Sequence, residues 1–344
     1  MRATEKLRRN LVEVGGLAVT PYRTLRTPYD TISELPAGLG TFPVYKVSDF
    51  KSGVPSHWEG EFHFMPMYDS EALWMNFGNR TKPVAVVVAA GAINAVTGKR
   101  MEKAILERDQ NYLVAPPQPW IDGWKDEGGT VYQFVAAELG SGETIEGQFT
   151  GEEKTGGIQI AVFNPKNPNL LAQPRQREHA FGAPSNVKGI YNEGYGSTLS
   201  APVKASGYTR SRDHPFLVTL GGGATLGRRP EVRSMGLGRG GRIRQKIYTD
   251  PHGFEVWKES PEGSTCIYLV RSEDFRTITG EDPPHKPLTR EDYERRGIPW
   301  FGLSDKDKGD AKGNLQFGVA KPVGAKDPEV EPKDVFQILD ENSK

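Results

Sequence analysis

The sequence has almost no cysteine, since Cys266 is the only one among 344 residues. A single thiol excludes an intrachain disulfide and a cysteine cage for zinc, as expected for a chain that folds where thiols stay reduced. Residues 264–270 around it have the composition of a buried strand. We therefore expect an unreactive core thiol, with a nucleophilic cysteine as the alternative.

Long hydrophobic runs and net charge are also missing. The longest apolar run, residues 84–93, is about half of the ~20 residues that a membrane helix requires, and residues 1–9 lack the apolar core of a signal peptide. The sequence therefore predicts no membrane span and a cytoplasmic location. Because 44 basic side chains balance 44 acidic ones, any attraction to a polyanion or an anionic surface must be local.

Turn-forming residues are abundant, with 40 glycines and 26 prolines, and they bound short segments that have the two-residue period of strands. The close spacing of these segments, without helix-length stretches between them, predicts a mainly β fold. We expect an antiparallel sandwich, of which a jelly roll is one form, with a few short peripheral helices. The predicted strands are residues 57–64, 84–89, 112–114, 131–135, 144–150, 158–163, 242–248 and 266–270.

Composition divides the chain into five stretches. They are an N-terminal helix and arm (1–56), the first part of the β-domain (57–163), a glycine- and arginine-rich insertion (164–238), the second part of the β-domain with short helices (239–301) and a polar tail (302–344). The first helix is predicted over residues 4–14, ended by two glycines. Further helices are expected from Ser272 and near Thr289, which with Asp292 resembles a capping box.

A glycine motif at residues 236–241 matches the dinucleotide fingerprint G-x-G-x-x-G. That fingerprint needs a strand before it and a helix N-terminus after it, whereas a strand is predicted to follow here, so the motif indicates no dinucleotide. We predict no cofactor.

Histidines and carboxylates give no metal site by spacing alone. On the predicted strand at residues 57–64 one face carries an acidic and imidazole set: His57, Glu59, Glu61 and His63. A solvated face is the first interpretation, and a metal or acid/base pair completed by another strand is the alternative. Four further histidines are expected to have solvated or turn roles in loops: His179, His214, His252 and His285. We predict no metal ion.

Arginine is concentrated on a glycine-rich backbone in the second half of the chain. A guanidinium donates two parallel hydrogen bonds to phosphate, sulfate or carboxylate, so this composition is typical of an anion site. A solvated loop neutralised by acidic residues is the alternative. The predicted anion-binding residues are Arg228, Arg229, Arg239, Arg242 and Arg244.

Residues 116–124 combine a proline run with two tryptophans and an aspartate. Aromatic rings beside a carboxylate suit a stacked sugar ring or an extended peptide, so we predict ligand binding by Trp120, Asp122 and Trp124. Packing of both indoles over the end of a sandwich is the alternative.

Several phrases resemble an uncharacterised family of bacterial and fungal proteins. They are NAVTG (94–98, after Ile93), QPWIDG (118–123), QFVA (133–136), LGSG (139–142), GGIQI (156–160) and GIPWF (297–301). The resemblance covers residues 82–163 and 240–301, and it implies one continuous module interrupted by the arginine- and glycine-rich region. No activity, ligand or site follows from it.

These observations leave two hypotheses on function. The first is a non-catalytic binding or assembly module whose partner is a protein, a glycan or a local polyanion, and an oligomer is compatible with it. The alternative is an enzyme that acts on a carbohydrate or a phosphorylated substrate through carboxylates such as Asp122, Glu59 or Glu61. Convergence of two of these carboxylates in a cleft would favour the enzyme.

Overall fold

The computed structural model describes residues 7–50, 53–78, 82–101, 109–167, 169, 171, 232–289, 291–292, 295, 300–301 and 309–324. The strands are β1 Val12–Val14, β2 Leu17–Thr24, β3 Ile32–Ser33, β4 Leu35–Pro36, β5 Tyr45–Lys46, β6 His63–Met67, β7 Ala72–Phe77, β8 Val84–Ala90, β9 Ile93–Asn94, β10 Leu113–Ala115, β11 Trp120–Ile121, β12 Gly123–Lys125, β13 Val131–Glu138, β14 Ile158–Phe163, β15 Ser234–Ile243, β16 Gly263–Arg271 and β17 Trp300–Phe301. The helices are α1 Ile145–Thr150, α2 Ser272–Thr279 and α3 Gln316–Val319, with 3-10 turns at Val47–Phe50 and Phe254–Val256.

Fifteen of these strands belong to one sheet, whose main order is β1-β2-β7-β13-β15-β16-β14-β8-β10. All pairings along this path are antiparallel, while β3 and β6 add to β15 and β16 in parallel. The mainly β prediction is confirmed. The sheet curls, because side chains from both ends of its strand order, such as Val12 and Leu113, lie in one hydrophobic core.

Central strands of the sheet are covered on both faces. Along β8, Val86 and Val88 point into the main core, whereas Ala85 and Val87 pack in a second cluster with Trp257. Burial on both faces explains why this strand reads as a continuous apolar run instead of an alternating one.

The N-terminal segment differs from its prediction, because residues 12–14 form a strand instead of a helix end. Val12 and Val14 are buried and Glu13 is exposed, which is the alternation of a strand. Gly15 and Gly16 have φ angles of 53° and 74°, and two consecutive left-handed residues make the tight hairpin turn that joins β1 to β2.

Two other predicted strands are wrong. Residues 57–62 form turns before β6, so the face expected to carry His57, Glu59 and Glu61 does not exist. Residues 145–150 form helix α1, because the Thr144 hydroxyl accepts a hydrogen bond from the Gly147 N–H at 3.0 Å and Gly151 ends the helix in the left-handed region.

The glycine motif lies inside a strand. β15 begins at Ser234, within the predicted insertion, and includes residues 236–241. A Cβ on Gly241 would lie 2.1 Å from the Pro28 carbonyl oxygen, so this glycine allows close backbone packing instead of phosphate binding. Residues 172–231 of the predicted insertion lie outside the described residues.

Of the two short helices predicted here, the first is confirmed at its start, and the capping box predicted for the second is present. Helix α2 begins at Ser272. The Thr289 hydroxyl accepts a hydrogen bond from the Asp292 N–H, and the Asp292 carboxylate accepts one from the Thr289 N–H, which completes the capping box.

Candidate functional site

One end of the curled sheet carries a row of side chains from four adjacent strands. Trp124 of β12 pairs with Tyr132 of β13, Tyr132 pairs with Arg242 of β15, and Arg242 pairs with Ile32 of β3. Directly paired residues project on the same face of a sheet. The row passes from the fully buried Trp124 to Ile32, whose exposed fraction is 51%.

A register shift in β15 adds a second arginine to this face. In a regular strand, Arg239 and Arg242 would point to opposite faces. The pairing of β13 with β15 is irregular between Tyr132 and Phe134, and this irregularity places both arginines on the same face. Its guanidinium Cζ lies 4.1 Å from the centre of the Tyr132 ring, and its Nη1 donates to the Ala320 carbonyl at 2.6 Å. Burial lowers the pKa of Arg239, and the nearby Tyr132 opposes that effect.

The other two described arginines of the predicted anion site, one in β15 and one just after it, each have an oxygen partner. Arg242 Nη2 donates to the Asp30 carbonyl at 2.6 Å, and Arg244 Nη1 lies 3.5 Å from Glu34 Oε1. Each guanidinium has five N–H donors, so these contacts leave donors for a ligand. Arg228 and Arg229 lie outside the described residues.

Helix α3 covers the buried part of the row. Phe317 packs between Trp124 and Phe149, with ring centroids 5.3 Å and 5.0 Å away. The same helix leaves two apolar side chains in solvent: Leu315 just before it is 62% exposed, and Val319 is 79% exposed. Part of the predicted polar tail is thus packed against the sheet.

We group residues of these elements under the name end surface. It combines apolar side chains in solvent with guanidinium groups, all on or beside β15 and α3. Its residues are Ile32, Arg239, Arg242, Arg244, Leu315 and Val319.

The predicted ligand-binding aromatics are inside the protein. Trp124 is fully buried, and its indole N–H donates to the Gly238 carbonyl at 3.1 Å. Trp120 is 6% exposed and packs with Trp74, which in turn stacks on Tyr22 at 4.4 Å. Because a stacking platform needs an exposed ring face, neither Trp120 nor Trp124 offers one to a ligand in this conformation.

Asp122 lies at the point of a fork in the sheet. β11 pairs with β7 and β12 pairs with β13, so the chain moves from one strand to the other at Asp122. The residue is 3% exposed, and its Oδ2 has no hydrogen-bond partner among the described residues. Burial raises its pKa to about 7, against the opposing effects of hydrogen bonds from its own backbone and from Trp120 and of the positive charge on Lys125.

The other two carboxylates of the enzyme hypothesis lie elsewhere. Glu59 and Glu61 are exposed in the turn before β6, and the Glu59 N–H donates to the Tyr268 hydroxyl at 3.1 Å. Within the described part of the chain, no contact joins either of them to Asp122.

The structure contains a buried ionic cluster that the sequence does not predict. Glu71 Oε1 lies 3.2 Å from Arg23 Nε, and Glu71 Oε2 lies 3.4 Å from His285 Nε2. Of the solvated and turn roles expected for His285, the solvated one is excluded, since its side chain is only 6% exposed and the Tyr68 hydroxyl donates to its carbonyl at 3.0 Å. The cluster ties the loop around residue 285 to β2 and β7. The proline-rich sequence at 283–287 is the only signal that hints at an ordered loop.

Two sequence expectations concern the Cys266 thiol and the binding of a metal ion. Cys266 is 8% exposed and burial raises its pKa to about 11, so the prediction of a buried thiol is confirmed. Where the structure describes the chain, no group of three or more histidine, cysteine or acidic side chains is placed to hold a metal ion.

Comparison with known proteins finds no match: no family model, no curated protein and no solved structure is significantly similar to this chain. The family resemblance of the sequence phrases therefore stays a prediction. In the described part of the chain, no helix has the length and apolar character needed to cross a membrane.

Proposed function

We propose that this protein is a non-catalytic binding module that holds an acidic segment of a partner protein, one that also carries apolar side chains, on the end surface. The observations that carry this proposal are the exposure of Ile32, Leu315 and Val319 and the attachment of β3 and of the segment after α3 to arginines of β15. Single exposed apolar residues are ordinary, whereas a group of them beside charged donors is typical of a contact surface.

The apolar side chains supply the first part of the argument. Leu315 and Val319 are four positions apart, at the two ends of the helical segment that covers Tyr132. Ile32 lies in the row that contains Arg242. Removing such side chains from water on contact stabilises a complex by about 25 cal/mol per Å² of apolar surface. A partner therefore needs apolar residues of its own at this position.

The arginines supply the second part. Arg239 and Arg242 lie on one face of β15 and Arg244 directly follows that strand, in a chain whose total charge is zero, so the attraction they exert is local. Arginine pairs with carboxylates through two parallel hydrogen bonds and is enriched at protein interfaces. A carboxylate-rich peptide segment satisfies both the charge and the apolar requirement, whereas a glycan satisfies only the hydrogen bonding.

The proposal is tested by the binding of a short fluorescent peptide of alternating glutamate and leucine, followed by fluorescence anisotropy. The double variant Arg242→Gln/Arg244→Gln should bind roughly tenfold more weakly, because each exposed ion pair contributes about 0.2–1 kcal/mol. Val319→Ser should also weaken binding, through the loss of apolar contact. Arg276→Gln is the matched control, since Arg276 is exposed on α2 and pairs with the exposed Asp282.

Two further ligands separate the proposed partner from others. A peptide of alternating glutamate and serine tests whether the apolar residues matter, and heparin tests whether any polyanion suffices. We expect both to bind more weakly than the first peptide at equal charge. Equal binding of heparin would instead assign the surface to polyanions and contradict the proposal.

A further inference from the structure

The fork at Asp122 lies next to the row that leads to the end surface. Asp122 directly precedes β12, and Trp124 of β12 pairs with Tyr132, whose other neighbour in the row is Arg242. A shift of the strands at the fork is therefore transmitted to the end surface through these two strand pairings. The backbones of β12 and β13 are closely packed at the fork, because a Cβ on Gly123 would lie 1.9 Å from the Tyr132 carbonyl oxygen.

We propose that Asp122 is a proton switch: protonated, it keeps the fork closed and the end surface assembled, and deprotonated, it loosens β11 and β12 and weakens partner binding. The regulatory part rests on the proposed function, whereas the switch itself is a property of the free protein.

The surroundings of Asp122 favour its neutral form. Oδ2 is buried without a partner among the described residues, and the side chains packed near Trp120 are the aromatic and aliphatic ones of Trp74, Tyr248 and Leu35. The donors near Asp122, from its own backbone and from Trp120, offset only part of the hydration that burial removes from a negative charge. The raised pKa of about 7 agrees with this geometry.

The charged groups around Asp122 do not cancel its charge. Among the described residues, Lys125 on the same segment is the cation that acts on it, and its ammonium group lies 2.6 Å from Asp310 Oδ2. The facing strands contribute neutral polar groups, such as Gln133 of β13 and Asn76 of β7. Opening the fork to water is the remaining way to stabilise the ionised form.

The switch is tested on the full chain by hydrogen exchange of the backbone amides of residues 120–125 at several pH values. In the wild type, exchange corrected for the intrinsic effect of pH should rise at least about threefold as the pH passes from about 6 to about 8. In Asp122→Asn the corrected exchange should not change with pH. The same corrected profile in both proteins would overturn the proposal.

A second variant tests the switch in case Asp122→Asn does not fold. Trp120→Phe removes the polar N–H of an indole whose interaction with Asp122 lowers the pKa of that carboxyl, so it should move the midpoint of the exchange change to higher pH. An unchanged midpoint contradicts the switch.

Binding of the glutamate and leucine peptide then tests the regulation. Its carboxylates stay ionised between pH 6 and 8, so a loss of wild-type affinity of roughly threefold or more over this range, absent in Asp122→Asn, supports regulation. Binding that is independent of pH overturns it. If the peptide does not bind at any pH while the exchange change is present, the proposed function fails and the switch in the free protein stands.

Discussion

The guanidinium of Arg239 lies over the ring of Tyr132, with its Cζ 4.1 Å from the ring centre. Because the same side chain also donates to the Ala320 carbonyl, it fastens the segment that follows helix α3 to the sheet. The contact depends on the register shift in β15, and it places a positive charge beside the exposed Val319. Arg239 thus has a structural role as well as the proposed binding role.

The structural role predicts a loss of stability. Arg239→Gln removes the contact with the ring and weakens the hydrogen bond to Ala320, so it should lower the free energy of unfolding by about 1–3 kcal/mol. Urea denaturation followed by tryptophan fluorescence measures the change. Arg244→Gln serves as the control, because its exposed pair with Glu34 contributes about 0–1 kcal/mol. Equal effects of the two substitutions would contradict the role of the ring contact.

Lys125 and Asp310 form a second fastening between the sheet and the segment before α3. The Lys125 side chain is fully buried and its Nζ lies 2.6 Å from Asp310 Oδ2. Asp310→Asn leaves a buried ammonium group without its counter-charge and should lower the free energy of unfolding by about 3 kcal/mol. Lys125→Met combined with Asp310→Leu should recover most of this loss. A single substitution without effect would show that Lys125 is solvated in solution.

Glu146 holds the loop after helix α1. Its buried carboxylate accepts hydrogen bonds from three backbone N–H groups, those of Lys154, Thr155 and Gly156, at 2.8–3.2 Å. Glu146→Gln loses the charge-assisted character of these bonds and turns an amide N–H toward donors, so we expect a loss of about 2 kcal/mol in urea denaturation. Glu152→Gln, at a fully exposed position in the same loop, should leave stability unchanged.

The raised pKa of Asp122 predicts that the free energy of unfolding depends on pH. Burial raises its pKa from 3.8 to about 7, so the native protein binds this proton more tightly than the unfolded chain does. Its contribution is therefore fully present below pH 3.8 and is lost as the pH rises to about 7, a change of up to about 4 kcal/mol. The difference in unfolding free energy between wild type and Asp122→Asn, measured at about pH 5 and about pH 8, isolates this contribution. A difference that does not vary with pH would contradict the raised pKa.

The parts of the fold that the sequence predicts are those where local pattern and tertiary structure agree. The run at β8 is apolar on both faces and is buried on both faces, so it was recognised as a strand. Residues 144–150 were assigned wrongly because a capping threonine and a closing glycine outweigh strand-like alternation in so short a segment. At residues 12–14 the signal was ambiguous, since two glycines end a helix as readily as they form a hairpin turn.

The end surface was predictable only in part. The arginines were visible in composition, but their convergence depends on a register shift between Tyr132 and Phe134 that no local pattern encodes. Leu315 and Val319 were read as part of a polar tail, because what exposes them is the burial of Phe317 on the opposite side of the segment. The pairing of Arg242 with Ile32 joins residues far apart in sequence, and such contacts are set by the whole topology.

Hydrogen exchange of the full chain, with and without saturating glutamate and leucine peptide, tests the proposed binding site most directly. We expect slower exchange in residues 30–33, 239–244 and 315–320, which form or border the end surface, and little change at β8 and β14 in the core. Protection confined to other segments, or no protection at a peptide concentration that saturates the anisotropy signal, would contradict the assignment of the end surface as the binding site.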